Sequence, residues 1–208
     1  MNKAVFLDRD GVINQKAPTE DLYITRWEEM QILPGVAQAI AKLNHAGFKI
    51  IVVTNQRGVA KGHITTAELE SMHERMCEHL ASAGAAIDAI YYCPHELDPP
   101  CNCRKPEPGM LLHAARAHNI DLATSWMIGD SVKDVQAGRS AGCRTAQIIE
   151  ENKLAESEAD VSAPSLLAAV HKVLEFEKAP VSELTETLRV REREGGIDVD
   201  GSLQTAKQ

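Results

Sequence analysis

The stretch A-V-F-L-D-R-D-G-V at residues 4–12 places an apolar run directly before two acidic residues. An apolar run of this length, ended by polar residues, predicts a buried strand. The carboxylates of Asp8 and Asp10 follow at its carboxyl end and form a compact oxygen site of the kind that Mg²⁺ prefers. Because a divalent cation neutralises a phosphate and orients it for attack by a carboxylate, the stretch suggests phosphoryl transfer through an aspartyl-phosphate.

Two further segments repeat this arrangement of an apolar run with a polar end. I-I-V-V at 50–53 ends at Thr54, and W-M-I-G at 126–129 ends at Asp130. Ligands of open α/β sheets bind outside the carboxyl ends of the strands, where the strand order reverses. We therefore expect the three polar ends to converge on one crevice, with R-K-P at 104–106 supplying positive charge. Such a set contains a nucleophile, a hydroxyl donor, a cation and a metal-binding acid, which suits phosphate chemistry.

These segments resemble, in their order along the chain, the four motifs of the haloacid dehalogenase superfamily of phosphatases. The motifs read D-R-D-G-V-I-N at 8–14, T-N-Q-R-G at 54–58, R-K-P-E-P-G-M at 104–110 and G-D-S-V-K-D at 129–134. The resemblance covers about residues 1–150 and is greatest to the heptose-bisphosphate phosphatase branch, with the histidinol-phosphate phosphatases as near relatives. It implies a phosphomonoesterase that acts on a small phosphorylated sugar.

The resemblance also implies a role for each matching residue. Asp8 is the nucleophile, and Asp10 is the general acid and base. Thr54 and Lys105 hold the phosphoryl group, and Mg²⁺ lies on Asp8, the backbone carbonyl of Asp10, and Asp130. The residues implied to contact substrate are Asn55, Gln56, Arg57 and Arg104.

Three features bear on the choice between the two branches. P-E-P-G-M after Lys105 resembles the heptose-bisphosphate branch, whereas the short stretch between His95 and Cys101 resembles the histidinol-phosphate branch. Ser131 departs from the heptose-bisphosphate members, which often carry a substrate-contacting lysine there. Lys133 is a candidate replacement for that lysine. On the sequence alone, both substrates stay open.

Strands and helices alternate along the chain. Strands are predicted at 4–7, 49–53, 89–92, 125–128 and 144–149, and helices at 34–47, 65–84, 108–118, 131–141 and 163–176. This alternation predicts an α/β fold with a doubly wound, mostly parallel, Rossmann-like sheet, the fold that the resemblance also implies. We expect one domain over residues 1–178 and a polar, disordered tail over residues 179–208.

The lengths of the connecting segments predict an enzyme without a cap domain. Residues 11–34 and 106–126 leave room only for loops at the places where many relatives insert a cap. Substrate specificity would then depend on the loops that wall the site, at 15–31, 57–64 and 93–104.

A cluster of soft metal ligands lies in the last of these loops. The ligands are Cys93, His95, Cys101 and Cys103, which can close tetrahedrally on Zn²⁺ although the spacing within each pair is tight. The alternatives are a disulfide or free thiols, which are less favoured because cytosolic thiols stay reduced and a histidine among three cysteines favours metal. Four protein ligands leave no open position, so the predicted zinc is structural and stiffens the loop before Arg104 and Lys105.

Composition restricts the partners of the protein. The chain has 208 residues and a formal net charge of -8, so its bulk field repels nucleic acid and anionic membranes. Phosphate affinity must therefore come from local cations such as Arg57, Lys61, Arg104 and Lys105. No N-terminal apolar region suits a signal peptide, and no run suits a membrane span. We expect a cytoplasmic monomer with neither a nucleic-acid nor a membrane partner.

Two other classes of protein share part of this pattern. A receiver-like signalling domain phosphorylates an aspartate on a similar sheet but does not require a second aspartate two residues later, so Asp10 distinguishes the two. A zinc-dependent interaction module needs only the cysteine loop and leaves the acidic strand ends unexplained. On the helix predicted at 65–84, His73 and Cys77 lack further ligands, so we expect a half-exposed histidine and a packed cysteine without a role.

Overall fold

The computed structural model describes residues 1–19, 22–149 and 158–178. Six parallel strands form one sheet in the order β3-β2-β1-β4-β5-β6. The strands are β1 (Ala4–Leu7), β2 (Lys49–Asn55), β3 (Ala89–Cys93), β4 (Trp126–Gly129), β5 (Arg144–Ile148) and β6 (Val161–Ala163). Because β1 lies between β2 and β4, the strand order reverses at β1, and the predicted doubly wound sheet is confirmed.

Helices connect the strands and begin and end where local sequence signals place them. They are α1 (Val36–His45), α2 (Thr66–Ser82), α3 (Gly109–His118), α4 (Val132–Ala141) and α5 (Leu166–Lys178). Thr65 and Glu68 form the predicted capping box before α2. Gly142 ends α4 with a φ of 89°, a left-handed conformation that glycine adopts without the steric cost of a Cβ.

The sequence pattern missed the edge strand β6 and placed the start of the last helix too early. The helix predicted from residue 163 begins at Leu166, because the hydroxyl of Ser165 accepts a hydrogen bond from the backbone N–H of Ala168 at 3.2 Å and caps it. The residues before this cap pair with β5 instead, with Val161 opposite Ala146. A strand of three residues is too short to show a periodic pattern.

Both faces of the sheet are covered. On one face, Phe6 packs in a cluster with Leu111 of α3 and Ala137 of α4. Val5 and Leu7, which point to the other face, are also fully buried. The helices therefore pack against both sides of the central strands. The carboxyl ends of these strands, which carry the polar residues, stay accessible at one edge of the sheet.

The described residues contain no inserted cap domain. Between β1 and α1 they hold the 3₁₀ turn Trp27–Glu29, and between β3 and β4 they hold α3 and the turn Leu122–Thr124. The compact unit spans Met1–Leu174, and residues 175–178 complete α5. The predicted tail at 179–208 lies outside the described residues.

None of the helices in the described part of the chain combines the length and the apolarity that a membrane crossing requires.

Candidate active site

The polar residues at the carboxyl ends of β1, β2 and β4 meet in one cleft, as the sequence predicted. Its volume is about 640 Å³. The predicted catalytic and magnesium residues all line it: Asp8, Asp10, Thr54, Lys105 and Asp130. So do the predicted substrate contacts Asn55, Gln56, Arg57 and Arg104.

Asp8, the first residue after β1, is held by two donors. Its Oδ1 accepts a hydrogen bond from the backbone N–H of Arg9 at 2.7 Å and lies 2.9 Å from Nζ of Lys105. Burial, only partly offset by the charge of Lys105, raises the pKa of the Asp8 carboxyl to about 7. A positive charge placed next to Asp8 would favour its ionised, nucleophilic form.

Lys105 is a buried cation that contacts three oxygen atoms. Besides Asp8, its Nζ lies 2.6 Å from Oδ1 of Asp134 and donates a hydrogen bond to the carbonyl of Val53 at 2.8 Å. Burial alone would lower the pKa of Lys105, but the charges of Asp134 and Asp8 raise it above its usual value. The side chain of Asn55 pairs with the backbone N–H and C=O of Lys105, both at 3.1 Å, and fixes this loop.

Asp10 is held in a dense set of hydrogen bonds at the wall of the cleft. Its oxygens accept from Asn14 Nδ2 at 2.9 Å and from Gln56 Nε2 at 3.0 Å, and Arg9 Nη2 lies 2.9 Å from Oδ2. Gln56 also donates to the hydroxyl oxygen of Thr54 at 2.8 Å. Burial would raise the pKa of Asp10, but the charge of Arg9 and these hydrogen bonds lower it below its usual value.

The acidic groups suit a hard divalent cation. Asp8, Asp130 and Asp134 each offer a carboxylate oxygen, and these oxygens lie within 4.8 Å of one another. Among the described residues, the buried Oδ1 of Asp130 has no hydrogen-bond partner, a state that a cation would relieve. Both oxygens of Asp134 are engaged, one by Lys105 and the other by the backbone N–H and hydroxyl of Ser131 at 3.0 and 2.6 Å. Asp8 and Asp130 are therefore the better side-chain ligands for a divalent cation. Asp134 would support the site through its contacts with Lys105 and Ser131 without binding the cation itself.

Two glycines allow the acidic residues to lie this close. A Cβ on Gly129 would overlap the side chain of Asp134, and a Cβ on Gly11 would overlap the carboxylate of Asp130. Gly11 also has a φ of 90°, which disfavours any other residue. The glycines in D-R-D-G and G-D-S are therefore part of the packing of the site.

The rim of the cleft carries further positive charge. Nε of Arg57 lies 2.7 Å from Oε1 of Glu96, which joins the loop after β2 to the cysteine loop. Nη1 of Arg104 donates to the carbonyl of His95 at 3.4 Å. Lys133 is exposed and lines the same cleft. It therefore meets one requirement for replacing the lysine that is absent at position 131.

Sequence reasoning missed two side chains that contact residues of this site. Nζ of Lys16 lies 2.5 Å from Oδ2 of Asp130, but a lysine in a loop has no motif or periodic signal that could have singled it out. His73 was expected to be half-exposed, and this expectation was wrong: it is 5% exposed, with its Nε2 3.1 Å from Nη1 of Arg9. The sequence showed only that His73 falls on the buried face of α2. A histidine in such a position is usually a packing residue.

The predicted zinc ligands form a compact cluster at the end of β3. Sγ of Cys93 lies 3.6 Å from Sγ of Cys101 and 3.4 Å from Sγ of Cys103, and the last two sulfurs are 3.3 Å apart. Nδ1 of His95 lies 3.6 and 3.2 Å from the sulfurs of Cys93 and Cys103. Tetrahedral zinc with bonds of about 2.3 Å needs donors about 3.8 Å apart, so the cluster fits zinc after a small expansion. None of these cysteines forms a disulfide.

Comparison with known proteins gives a consistent result. The HAD-hydrolase-like family matches residues 102–172 of the chain. The D-glycero-beta-D-manno-heptose-1,7-bisphosphate 7-phosphatase of Bordetella bronchiseptica is 45% identical over 141 residues, which cover 68% of this chain and 77% of that protein. The protein of the same name from Escherichia coli K12 is 39% identical over 171 residues, which cover 79% and 87% of the two chains.

Two solved structures of D,D-heptose 1,7-bisphosphate phosphatases are similar to this chain. The crystal structure of D,D-heptose 1,7-bisphosphate phosphatase from B. bronchiseptica, complexed with magnesium and phosphate, matches with a TM-score of 0.75 and 38% identity. The match covers 83% of this chain and 98% of that one. D,D-heptose 1,7-bisphosphate phosphatase from Burkholderia thailandensis matches with a TM-score of 0.61 and 32% identity, over 86% of this chain and 100% of that one.

Gly129→Ala tests whether the close approach of Asp134 shapes the metal site. The added methyl group would displace Asp134 from Lys105, and overpacking of this kind costs about 1–3 kcal/mol. We expect the affinity for Mg²⁺, measured by titration calorimetry, to fall at least about tenfold, which corresponds to about 1.4 kcal/mol. The control is Gly47→Ala, which has no atom within 4 Å of the added Cβ. It should lower stability by about 1–2 kcal/mol through its left-handed backbone and leave Mg²⁺ affinity unchanged. Wild-type affinity in Gly129→Ala would contradict the prediction.

Proposed function

The chain belongs to the D-glycero-beta-D-manno-heptose-1,7-bisphosphate 7-phosphatase family of haloacid dehalogenase-like hydrolases, and we propose that it removes the 7-phosphate of this sugar bisphosphate with the help of Mg²⁺. The observation that carries the proposal is the buried Lys105 between Asp8 and Asp134, beside Asp130. A fixed cation, a nucleophilic carboxylate and metal-binding acids thus surround the point where a phosphoryl group would bind.

In the first half of the proposed reaction, Asp8 attacks phosphorus opposite the leaving sugar oxygen. The bond from Asp8 to phosphorus forms as the bond from phosphorus to the sugar oxygen breaks, and Asp10 gives its proton to that oxygen. Lys105 holds a phosphoryl oxygen, and Thr54 donates to another, since its own oxygen already accepts from Gln56. The negative charge of the bound phosphate raises the pKa of Asp10 and favours its protonated form in this half.

In the second half, Asp10 acts as a base. It takes a proton from water as the water oxygen attacks the phosphorus of the aspartyl-phosphate, which releases inorganic phosphate and restores Asp8. The charge of Arg9 and the hydrogen bonds from Asn14 and Gln56 stabilise the carboxylate form that this step needs. One residue therefore serves as acid and then as base.

The proposed ligands of Mg²⁺ are Asp8, the backbone carbonyl of Asp10, and Asp130. When bound, the ion supplies positive charge that neutralises phosphoryl oxygens and favours the ionised form of Asp8. Asp134 and Ser131 hold the adjoining Lys105 and the start of α4 in place. Support comes from the B. bronchiseptica enzyme, which was crystallised with magnesium and phosphate.

Cations of the rim would recognise the second phosphate of the substrate. Arg57, Arg104 and Lys133 line the cleft outside the buried Lys105. Asn55, the last residue of β2, and Gln56, which follows it, line the same cleft and are proposed to contact the substrate. Histidinol phosphate is not favoured, because its ammonium and imidazole groups need acidic partners. Glu96, an acidic residue at the rim, is already paired with Arg57.

We propose that the cysteine loop binds a structural zinc ion. The four ligands would be Cys93, His95, Cys101 and Cys103, which fill a tetrahedral site. Arg104 and Lys105 follow directly after Cys103, so an ordered cluster fixes the point from which both cations enter the cleft. Zinc therefore supports catalysis through position and takes no part in the chemistry.

We propose that the enzyme works as a cytoplasmic monomer whose catalytic domain covers residues 1–178. Every group proposed for the chemistry comes from this one chain and lines one cleft. The net charge of -8 disfavours nucleic acid and anionic membranes as partners.

Asp8→Asn should abolish turnover without abolishing substrate binding. The amide keeps the shape of the side chain but lacks the attacking charge, so kcat should fall by several orders of magnitude. Steady-state kinetics and trapping of the aspartyl-phosphate by acid quench would measure this. Asp88→Asn, at the opposite end of the sheet, is the control and should retain wild-type kcat. A tenth or more of wild-type kcat in Asp8→Asn would exclude covalent catalysis by this residue.

Metal analysis of the purified protein should find about one zinc ion per chain that Mg²⁺ does not replace. Cys101→Ser should lose zinc, melt at a lower temperature and show a raised KM, because the loop that bears Arg104 and Lys105 loosens. Cys77→Ser, a half-buried cysteine of α2, is the matched control and should keep its zinc. Metal-free protein with unchanged melting temperature and activity would rule out a structural zinc.

The specificity constant for D-glycero-D-manno-heptose 1,7-bisphosphate should exceed that for histidinol phosphate at least about a hundredfold. This ratio corresponds to about 2.7 kcal/mol, the scale of one or two charge-assisted contacts to the second phosphate. Kinetics with both substrates on one protein preparation would measure it. Arg57→Gln should narrow the ratio mainly by lowering the value for the bisphosphate. Equal or reversed constants would favour histidinol phosphate as the substrate and leave the aspartyl-phosphate mechanism intact.

A further inference from the structure

Arg9 lies between the two proposed catalytic carboxylates and contacts both. Its backbone N–H donates to Oδ1 of Asp8 at 2.7 Å. Its Nη2 lies 3.0 and 2.9 Å from the two oxygens of Asp10, and its Nε lies 3.3 Å from Oδ1. The guanidinium is almost completely buried, at 1% exposure, and the mechanism proposed above uses only its charge, which favours the carboxylate form of Asp10. A buried arginine at this place calls for an explanation beyond packing, since taking a charge out of water is costly.

The far side of the same guanidinium is anchored on α2. Nη1 of Arg9 lies 3.1 Å from Nε2 of His73. Burial and the charge of Arg9 lower the pKa of His73 to about 3, so the ring is neutral and Nε2 accepts the hydrogen bond. The ring of Tyr92 lies next to the imidazole, with the two centroids 5.9 Å apart and the planes at 60°.

We propose that Arg9 and His73 are positioning residues that hold the carboxyl group of Asp10 toward the leaving oxygen. The inference rests on the aspartyl-phosphate mechanism proposed above. A guanidinium is planar and presents its donors in a fixed fork, so an anchor on Nη1 sets the direction of the edge that faces Asp10. That edge in turn orients the carboxylate.

The geometry distinguishes this role from simple charge pairing. Asn14 and Gln56 also donate to Asp10, but each contacts a single oxygen. Only Arg9, among the contacts of Asp10 in the described residues, reaches both oxygens and so controls rotation of the carboxylate. Without His73, the guanidinium could turn about its last bonds while keeping its charge. A misplacement of about 1 Å in an acid is enough to slow proton transfer markedly.

Dependence on the leaving group tests the proposal. The specificity constant kcat/KM reports events up to formation of the aspartyl-phosphate. A sugar alkoxide needs the proton of Asp10, whereas 4-nitrophenolate leaves without one. A misplaced Asp10 should therefore lower kcat/KM for the heptose bisphosphate and spare kcat/KM for 4-nitrophenyl phosphate. A loss of folded protein would lower both constants equally.

His73→Leu removes the acceptor at similar volume. We expect kcat/KM to fall about 10- to 100-fold for the heptose bisphosphate and less than about threefold for 4-nitrophenyl phosphate. His73→Gln, which keeps an acceptor, should recover most of the loss. Arg9→Lys keeps the charge and the backbone contact to Asp8 but lacks the planar fork, so it should show the same asymmetry. His79→Leu, another histidine of α2 whose ring packs on Trp27 at 5.7 Å, should change neither constant.

A double-mutant cycle decides whether His73 acts through Asp10. Asp10→Asn should show the leaving-group asymmetry in its strongest form, and adding His73→Leu should slow it no further. Equal losses with both substrates in Arg9→Lys, or an additive loss in the double variant, would overturn the positioning role. Arg9→Lys decides the matter if His73→Leu does not fold. Equal losses of both activities in Asp10→Asn would instead contradict the proposed role of Asp10 as general acid, which is part of the proposed function and separate from the positioning role of Arg9 and His73.

Discussion

The ion pairs that the buried ammonium of Lys105 forms with Asp8 and Asp134 constrain the whole site. The three residues come from the loop after β3, from the end of β1 and from the first turn of α4, so one buried cation joins elements far apart in sequence. Removing one partner from a buried ion pair typically costs about 3–5 kcal/mol, because the remaining charge stays out of water. Loss of any one of these three groups would therefore destabilise the site. The same arrangement presents a fixed positive charge to any phosphate that enters the cleft.

The order of the strands explains why these groups can meet. β1 lies in the middle of the sheet with β2 and β4 on either side, so residues that follow the three strands emerge at adjacent positions. β3 pairs with the other edge of β2, with Cys93 opposite Asn55. The cysteine loop starts from that point, and the backbone N–H of Gln56 donates to the carbonyl of Cys93 at 2.8 Å. The loop can therefore return across β2 and deliver Lys105 to Asp8.

The contacts within the site also bear on the other classes of protein that the sequence left open. A receiver-like domain would not need Asp10, yet this residue is held by Arg9, Asn14 and Gln56 beside the hydroxyl of Thr54. An interaction module built on zinc would not need the cysteine cluster to continue into a buried lysine. Among the described residues, loops and not a cap domain wall the cleft. We expect these loops to supply its selectivity. The pairing of Arg57 with Glu96 across two of these loops shows one way in which they are held together.

The sequence by itself determined the alternation of strands and helices, the acidic strand ends and the cysteine cluster, because these depend on local patterns of a few residues. It identified Asp8, Asp10, Thr54 and Asp130 as neighbours, since the carboxyl ends of adjacent parallel strands must share one edge, and it added Lys105 through the resemblance to the family. Only the tertiary structure revealed the short strand β6, the contact of Lys16 with Asp130 and the burial of His73 against Arg9. These features depend on contacts between segments remote in sequence, and a lone lysine or histidine carries no local signal of the partner that it meets after folding.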